Sequence, residues 1–393
     1  MFPERFSNLP EYAFPRLRRL LDAHEPGGEV IHMSIGEPRH AFPDWVVEII
    51  AQYAQDFGKY PPNDGTEGLR QSIADWLKLR FSVELDVDTQ ILPLNGTREG
   101  LYNACLAMCP EKNSQGKQPV VLIPNPFYQA YGVGTLAAGA EPHYVNATAE
   151  TGFLPDYQSL DPKLLDRVEI AFICSPSNPQ GAVADAKYLE NLFALAQKHD
   201  FRIFSDECYS EIYRDTPPVG ALEVASKVGA DPERVFVFHS LSKRSNLPGL
   251  RSGFVAGGPQ GIARMKRLRN YGGAPIPLPL QHVSQKAWSD EAHVTENRSL
   301  YGDKFRAADK IFAGIQGYNA PKAGFFLWLP VNEGETAAVK LWQVTGVRAL
   351  PGAYLSRDVA GDNPGKKYIR VAMVAPIKEM QRGLTGLRDC LYG

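Results

Sequence analysis

The middle of the chain alternates short apolar runs with longer amphipathic segments. The apolar runs are rich in β-branched and aromatic residues and leave no polar face, which is typical of strands buried in a parallel sheet. They predict strands at 119–125, 169–176, 201–207, 235–242 and 252–258. Between them, 186–199 has apolar residues at helical spacing and is long enough for a crossover helix. This alternation predicts a large α/β domain with a mostly parallel central sheet flanked by helices.

The pattern changes near residue 272. A proline-rich stretch, 272–281, precedes a long polar helical pattern from about His282 to Phe312. Shorter segments of strand or helix character follow at 324–330, 335–343, 347–352 and 367–373. We therefore expect a large domain over 41–280 and a smaller α+β domain over 281–393 that is entered by a long helix. Residues 1–40 carry Pro, Gly and a short apolar segment, and we expect them to complete the smaller domain.

Composition excludes several classes of protein. The chain has 393 residues, 44% of them hydrophobic, which is enough for a large core and argues against disorder. The 42 Lys and Arg residues are balanced by 44 Asp and Glu residues, so a protein that binds nucleic acid by neutralising phosphates is disfavoured. No apolar run is long enough to span a membrane, and the first residues lack the apolar core of a signal peptide. We expect a soluble, cytoplasmic protein without nucleic-acid or membrane partners.

The cysteines do not form a metal-binding or disulfide pattern. They are five in number and scattered, without a C-x-x-C pair or a histidine at zinc-finger spacing: Cys105, Cys109, Cys174, Cys208 and Cys390. We expect free thiols and no metal site.

The segment Ser240-Leu-Ser242-Lys243 directly follows a strongly apolar run. Burying an ammonium group without a partner is costly, so a lysine at this place has three interpretations. It is a surface residue on a loop, the lysine of an S-x-x-K acyl enzyme with Ser240 as the nucleophile, or a Schiff-base lysine in a dry pocket. The acyl enzyme also needs S-D-N and K-T-G further along the chain, and neither occurs.

The residues after Lys243 favour the third interpretation. Arg251 follows nearby, so two hydroxyls and a guanidinium surround one lysine and form a phosphate cradle beside an amine. Pyridoxal phosphate is a cofactor that needs both groups together. The segment resembles the lysine signature of class I/II aminotransferases, pyridoxal-phosphate enzymes of fold type I. That family usually has an aliphatic residue where this chain has Ser252.

The resemblance extends over nearly the whole chain and implies roles for further residues. Asp206 and Tyr209, in Ser205-Asp-Glu-Cys-Tyr209, correspond to the partners of the pyridine nitrogen and of the ring oxygen. Asn178, in a turn similar to N-P-x-G, corresponds to a second donor to the ring oxygen. Lys243, Asp206 and Tyr209 are thereby the implied catalytic residues.

The implied cofactor site has several more members. Gly96, Thr97 and the backbone of Arg98 precede a helical pattern, and a helix N-terminus is a suitable site for a phosphate. Tyr128 corresponds to the aromatic residue that stacks on the pyridine ring. Tyr60 resembles a tyrosine that reaches the phosphate of the neighbouring subunit in a homodimer. With these, the implied cofactor-binding set is Tyr60, Gly96, Thr97, Arg98, Tyr128, Asn178, Asp206, Tyr209, Ser240, Ser242, Lys243 and Arg251.

For the substrate, the resemblance implies that Arg370 clamps the α-carboxylate and that Gly36 and Asn178 also contact it. The implied activity is an aminotransferase reaction in which Lys243 moves the proton at Cα as base and acid. Several segments look closest to bacterial N-succinyldiaminopimelate aminotransferases, with glutamate as amino donor and a place in lysine biosynthesis. Aspartate and aromatic aminotransferases are near alternatives. The residues assign no partner to the distal end of the substrate, for which Arg39 is only a guess.

Two alternatives come from other classes of protein. The S-x-x-K acyl enzyme predicts acylation of Ser240, and a pyridoxal-phosphate fold used only as a binding module predicts cofactor binding without turnover. The chain has no G-x-G-x-x-G after a strand, so a nicotinamide dehydrogenase is disfavoured.

Overall fold

The structure is a computed structural model that describes residues 4–7, 9 and 11–393. The α-helices in this part of the chain are α1 (Ala13–Leu21), α2 (Trp45–Gln52), α3 (Glu67–Phe81), α4 (Thr97–Met108), α5 (Gln129–Ala137), α6 (Pro162–Leu165), α7 (Ala186–His199), α8 (Ala221–Val228), α9 (Leu241–Arg244), α10 (Pro259–Gly272), α11 (Leu278–Ser289), α12 (Ala292–Ile311), α13 (Gly334–Thr345) and α14 (Ile377–Tyr392). The strands are β1 (Ile31–His32), β2 (Ile91–Leu94), β3 (Val120–Asn125), β4 (Glu141–Asn146), β5 (Val168–Cys174), β6 (Arg202–Asp206), β7 (Val235–Ser240), β8 (Gly253–Ala256), β9 (Phe326–Pro330), β10 (Val347–Arg348), β11 (Leu350–Pro351) and β12 (Tyr368–Ala372). Short 3-10 turns lie at Glu4–Phe6, Ala54–Gly58, Ala149–Thr151, Tyr157–Ser159, Pro232–Arg234, Pro248–Leu250 and Gly352–Leu355.

A seven-stranded sheet organises the larger part of the fold. Its strand order is β2-β8-β7-β6-β5-β3-β4. The five strands from β7 to β4 in this order run parallel to one another. Strand β8 is antiparallel to both of its neighbours, β2 and β7. Apolar clusters cover both faces of the sheet, with Phe172, Phe204 and Phe236 in one and Trp76 and Phe254 in the other. The prediction of an α/β fold with a mostly parallel central sheet flanked by helices is confirmed.

All five predicted strands form in this sheet, as β3, β5, β6, β7 and β8. The predicted strand 235–242 ends earlier, because Ser240 caps α9 by accepting a hydrogen bond from the Ser242 backbone N–H at 3.1 Å. Two strands of the sheet were not predicted. Strand β4 is only half-buried and carries no apolar run. Strand β2 is apolar and fully buried, but its four residues make too short a run to indicate a strand by themselves.

A second, smaller group of strands lies outside the central sheet. Strands β11, β12 and β9 form an antiparallel sheet, and β1 pairs in parallel with β10. Helix α1 packs in one apolar cluster with this part of the chain, where Leu17 and Leu21 join Trp328 and Trp342. This packing supports the expectation that the N-terminal segment completes the smaller unit. The division at residues 40 and 280 stays a prediction.

The polar helical pattern expected over 282–312 is divided into two helices rather than forming one. Helix α11 ends at Ser289, and α12 begins at Ala292. Between them Asp290 is extended, with φ −111° and ψ 115°. Its carboxylate accepts hydrogen bonds from the ring and backbone nitrogens of His293, at 2.5 and 3.4 Å, and so caps the start of α12. The prediction of a single long helix is wrong here, because helical periodicity alone does not register such a local cap.

Among the helices of the described residues, none is long and apolar enough to cross a membrane.

Candidate active site

The carboxyl ends of the parallel strands meet at one edge of the central sheet, and most of the predicted site residues follow these ends. Asp206 is the last residue of β6, and its neighbours in register are Cys174, which ends β5, and Phe238 of β7. Such an edge is where open α/β sheets bind their ligands. The local fold therefore brings together segments that are far apart in sequence.

Lys243 lies in α9, the single turn that follows β7. Its Nζ donates a hydrogen bond to the carbonyl oxygen of Gly36 at 2.5 Å and lies 5.4 Å from the centre of the Phe325 ring. Burial lowers the pKa of Lys243 to about 8, and the nearby guanidinium of Arg370 acts in the same direction. About one tenth of this amine is therefore unprotonated at pH 7, far more than of an ordinary lysine. This is the environment of a nucleophilic lysine and not of a solvated surface lysine.

Asp206 is buried, with 6% of its surface exposed. Its Oδ2 accepts a hydrogen bond from Tyr131 Oη at 2.6 Å, and its Oδ1 accepts one from the Cys208 backbone N–H at 3.3 Å. Burial raises the pKa of Asp206, and these two hydrogen bonds oppose the rise. A cation placed against this carboxylate would favour its ionised form. A protonated heterocyclic nitrogen is such a cation.

The predicted phosphate cradle is assembled from three elements. Gly96 caps the N-terminus of α4 with φ +82°, and a Cβ at this position would overlap the guanidinium of Arg251. Gly253 pairs with Ser240 across β7 and β8, and its backbone lies against Thr97 and Ser240. Thus Gly96, Thr97, Ser240 and Arg251 lie at one place, as the resemblance implies. Ser242 joins them, because its Oγ is 3.0 Å from Ser240 Oγ.

Tyr128 and Arg98 form a pair beside this cradle. Arg98, in the first turn of α4, donates from Nε to Tyr128 Oη at 2.6 Å. This hydrogen bond raises the pKa of the Arg98 guanidinium. The Tyr128 ring packs edge-on against Tyr131, with centroids 5.7 Å apart, and is therefore held next to the residue that contacts Asp206.

Arg370, on β12, is buried, and among the described residues it is hydrogen-bonded only to neutral oxygen atoms. Its Nη1 donates to Asn178 Oδ1 at 2.9 Å and its Nη2 to the Ser34 carbonyl at 2.7 Å, while its Nε is buried without a partner. Burial lowers the pKa of Arg370 to about 10. A buried guanidinium with an unsatisfied donor is suited to bind a carboxylate.

Tyr209 and Gly36 complete this side of the cleft. Tyr209 is buried and packs edge-on against Phe325 and Phe326, at 5.3 and 5.9 Å between ring centres. Burial raises the pKa of its hydroxyl well above the usual value. A Cβ at Gly36 would overlap the ring of Phe326, so only glycine fits where this segment approaches Lys243.

Two predicted residues stand apart from this cluster. Tyr60 is fully exposed, at 102%, and is therefore not part of the pocket of its own chain. Arg39, the guess for the distal end of the substrate, forms an ion pair with Glu379 at 2.8 Å, so its charge is already neutralised.

Sequence reasoning missed Tyr131, Cys208 and the Ser34 carbonyl as members of the site. Tyr131 lies one helical turn after Tyr128 at the start of α5, which is a spacing that places two residues on one helix face. That spacing was a usable signal. Cys208 and Ser34 contribute backbone groups, and a pattern of side chains does not predict such contacts. All five cysteines are free thiols, and the described residues include no cluster of His, Cys, Asp and Glu that could hold a metal ion.

Comparison with known proteins identifies the family. The model of the family "Aminotransferase class I and II" matches residues 28–387. The chain belongs to this family. Membership implies pyridoxal phosphate as the cofactor and amino acids and 2-oxo acids as the substrates, and the predicted aminotransferase activity of fold type I is confirmed.

Individual relatives of this aminotransferase cover almost its whole length. It is 31% identical to an LL-diaminopimelate aminotransferase of Dehalococcoides mccartyi over 98% of both chains. An aminotransferase structure from Neisseria meningitidis superposes with a TM-score of 0.94, at 37% identity and 99% coverage of both chains. The aminotransferase AspB of Helicobacter pylori superposes with a TM-score of 0.90 at 33% identity, over 97% of this chain and 98% of the other.

The described residues fit pyridoxal phosphate. The amine of Lys243 would supply the group that binds its aldehyde, and the buried carboxylate of Asp206 would suit its ring nitrogen. The glycine at position 96 leaves the N-terminus of α4 open beside Arg251, where a phosphate would be held.

Proposed function

We propose that this protein transfers an amino group between a diaminopimelate-type amino acid and a 2-oxo acid, with glutamate and 2-oxoglutarate as the second pair. The observation that carries the proposal is the shared cleft of Lys243, with a pKa of about 8, and Arg370, with its unpartnered buried Nε. A base for the Cα proton and a clamp for the α-carboxylate are the two groups that an amino-acid substrate requires there. When bound, pyridoxal phosphate supplies an electron sink for the bond that breaks at Cα.

The substrate is held by three groups of this chain. Arg370 binds the α-carboxylate, and its hydrogen bonds to Asn178 and Ser34 fix the plane of the guanidinium. The backbone of Gly36 closes the same side of the cleft. Lys243 Nζ would leave its hydrogen bond to the Gly36 carbonyl, take the proton from Cα and deliver it to the carbon that carried the cofactor's aldehyde. The second half of the reaction would run this transfer in reverse.

The remaining predicted residues orient the cofactor. Asp206, held by Tyr131 and Cys208, would keep the ring nitrogen of the bound cofactor protonated, while Tyr209 and Asn178 would provide polar contacts to its ring oxygen. Tyr128 would provide an aromatic surface for one face of that ring. Gly96, Thr97 and the Arg98 backbone hold the phosphate together with Ser240, Ser242 and Arg251.

Two observations support a diaminopimelate-type substrate. The sequence resembles N-succinyldiaminopimelate aminotransferases, and curated relatives at about 30% identity are named LL-diaminopimelate aminotransferases. Both substrates are long amino acids with a carboxylate at the far end. A place in lysine biosynthesis follows from either of them, and aspartate and aromatic amino acids are the alternatives.

A panel of amino donors and acceptors tests this proposal. With glutamate as donor, we expect turnover with the oxo acid derived from diaminopimelate or from its N-succinyl form, and slower turnover with oxaloacetate and phenylpyruvate. Preference for either of the latter would overturn the diaminopimelate assignment. Cofactor binding without any turnover would favour a binding module, and acylation of Ser240 by a β-lactam would favour the S-x-x-K enzyme.

The catalytic unit is proposed to be a homodimer. Tyr60 is fully exposed beside Lys59 and therefore is free to reach a second subunit. Tyr60→Phe is expected to weaken cofactor retention without changing the affinity for the α-carboxylate. In heterodimers of wild type with Tyr60→Phe,Lys243→Ala subunits, only the site with the mutated tyrosine keeps Lys243, and it should show the weakened retention. A fully active monomer would contradict the shared site.

A further inference from the structure

Side chains of α12 hold residues 243–246, which form the lysine turn. Asn297, which is 4% exposed, donates from Nδ2 to the carbonyl oxygens of Lys243 and Arg244, at 3.4 and 3.5 Å. These carbonyls lie at the end of the single turn of α9, where they need donors from outside the helix. Asn297 thereby fixes the backbone that carries the amine of Lys243.

Asn297 also reaches the N-terminal segment. Because its amide nitrogen faces carbonyl oxygens, its Oδ1 is the acceptor in two further hydrogen bonds, from His40 Nδ1 at 2.9 Å and from Asn246 Nδ2 at 3.1 Å. His40 lies four residues after Gly36, whose carbonyl accepts the hydrogen bond from Lys243 Nζ. One asparagine is therefore linked to both ends of the Lys243 side chain, to its backbone and to the segment that receives its amine.

His293 makes a second contact with the lysine turn. Its Nδ1 lies 2.5 Å from Asp290 Oδ2, and its Nε2 lies 2.8 Å from Ser245 Oγ. Hydrogen bonds from His293 outweigh the effect of burial and lower the pKa of Asp290, so this carboxylate is ionised and accepts the Nδ1 proton. Burial lowers the pKa of His293, and the neutral ring then accepts a hydrogen bond from the Ser245 hydroxyl through Nε2.

Ser245 is part of the lysine turn and is not a nucleophile. None of its surface is exposed, so a substrate does not reach its hydroxyl. Its backbone N–H donates to the Leu241 carbonyl at 3.0 Å and closes the turn of α9. The hydrogen bond to His293 therefore fixes the chain two residues after Lys243.

We propose that Asn297 and His293 are positioning residues that hold the amine of Lys243 in its buried place beside Gly36. They act through the lysine turn and through His40, and not through contact with the substrate. A reacting group needs such support, because a displacement of about 1 Å can reduce a rate about 100-fold. Loss of either contact lets the turn move and lets water reach the amine.

The first test measures the amine itself, in the full-length protein after removal of the cofactor. Acetylation of Lys243 by acetic anhydride is followed over a range of pH by mass spectrometry, with the exposed lysines as reference. In wild type the midpoint should lie near pH 8. In Asn297→Ala it should rise to about 9, towards the value of about 10.4 of a solvated lysine. The ionisable groups that face the amine are the same in both proteins: Glu37, Cys208, Arg251 and Arg370.

Asn113→Ala is the matched control. Asn113 is also a buried amide, 6% exposed, and its Oδ1 accepts hydrogen bonds from the backbone N–H groups of Gln115 and Lys117, at 3.0 and 2.8 Å. It precedes β3, whereas the site follows the strand ends. Its loss should lower the free energy of unfolding and leave the midpoint of Lys243 unchanged. Asn297→Ser, a milder replacement that keeps a hydroxyl, should give a smaller rise. An unchanged midpoint in folded Asn297 variants would overturn the role of Asn297.

Ser245→Ala and His293→Phe test the second contact. Each removes one partner of the same hydrogen bond, so each should raise the midpoint, and the double variant should raise it no further than His293→Phe alone. His293→Gln keeps an acceptor for the serine and should restore part of the wild-type value. Additive shifts, or no shift in either variant, would overturn the role of His293.

Kinetics of the holoenzyme with glutamate give an independent readout, which rests on the proposed function. In Asn297→Ala, kcat should fall about tenfold because the base is displaced, while KM should change less than about twofold because Arg370 is untouched. A raised KM with an unchanged kcat would contradict positioning of the base. If wild type transfers no amino group from any donor, the proposed function fails, and the acetylation of Lys243 still decides the roles of Asn297 and His293.

Discussion

The hydrogen bond from Tyr131 to Asp206 can be removed by a single substitution that leaves the rest of the site in place. Tyr131→Phe removes the 2.6 Å donor to Oδ2 and leaves the carboxylate with the Cys208 N–H at 3.3 Å. The aromatic ring remains, and so does its stacking on Phe172, with centroids 4.4 Å apart. The change therefore removes one donor from a buried carboxylate with little effect on packing.

The expected magnitude follows from burial. Asp206 is 6% exposed, so water does not replace the lost donor. A hydrogen bond to a charged buried group contributes about 1.5–3 kcal/mol, which corresponds to about 10- to 150-fold in rate if it acts in the transition state. Since the hydrogen bond opposes the burial that raises the pKa of Asp206, its removal raises that pKa further. The acidic limb of the pH–rate profile should move to higher pH.

The assay is kcat with glutamate at saturating cofactor, measured over a range of pH. Tyr157→Phe is the matched control, because Tyr157 is equally buried and donates to the backbone carbonyl of Phe172 at 2.6 Å, away from Asp206. It should reduce the free energy of unfolding without changing kcat. If Tyr131→Phe keeps its cofactor, retains kcat within twofold and shows an unchanged pH profile, the role assigned to this hydrogen bond is refuted.

Three further changes have defined outcomes. Asp206→Asn should keep the fold and lose about 10²- to 10⁴-fold in kcat, because an amide cannot hold the ring nitrogen protonated; near-normal turnover would contradict this. Gly96→Ala should weaken cofactor retention at least about tenfold in dialysis followed by absorbance, whereas Gly139→Ala, at a similar φ of +78° but with open space around it, should not. Lys304 is buried with its pKa lowered to about 7, so the folded protein holds it neutral at alkaline pH while the unfolded chain still binds a proton. Lys304→Met should therefore stabilise the cofactor-free protein by up to about 5 kcal/mol below pH 7, and the gain should shrink as the pH rises towards 10; a gain that is constant with pH would exclude this titration.

Most strands of the central sheet could be predicted from the sequence, because the buried strands are apolar on both faces. The sequence also placed Asp206 at the end of a strand, and Lys243 and Asn178 just after strand ends, where parallel topology brings them to one edge. Contacts between distant segments could not be predicted from the sequence. The Tyr131 hydrogen bond to Asp206 and the Arg39–Glu379 ion pair both depend on side-chain directions that periodicity does not specify.

The same limit applies to local geometry. Leu241 and Ser242 read as the end of a strand but form a helical turn, because the Ser240 hydroxyl caps it. Asp290 interrupts a helical pattern for a similar reason. In both cases one side-chain hydrogen bond to the backbone outweighs the hydrophobic pattern.

Lys243 is proposed to be the amine that carries the cofactor. Reduction of the holoenzyme with sodium borohydride, followed by proteolysis and mass spectrometry, fixes the cofactor to the lysine that binds it. We expect a pyridoxyl group on Lys243, the residue whose pKa burial lowers to about 8, and no such group in the Lys243→Ala protein. A pyridoxyl group on another lysine, or none in protein shown to contain the cofactor, would contradict it.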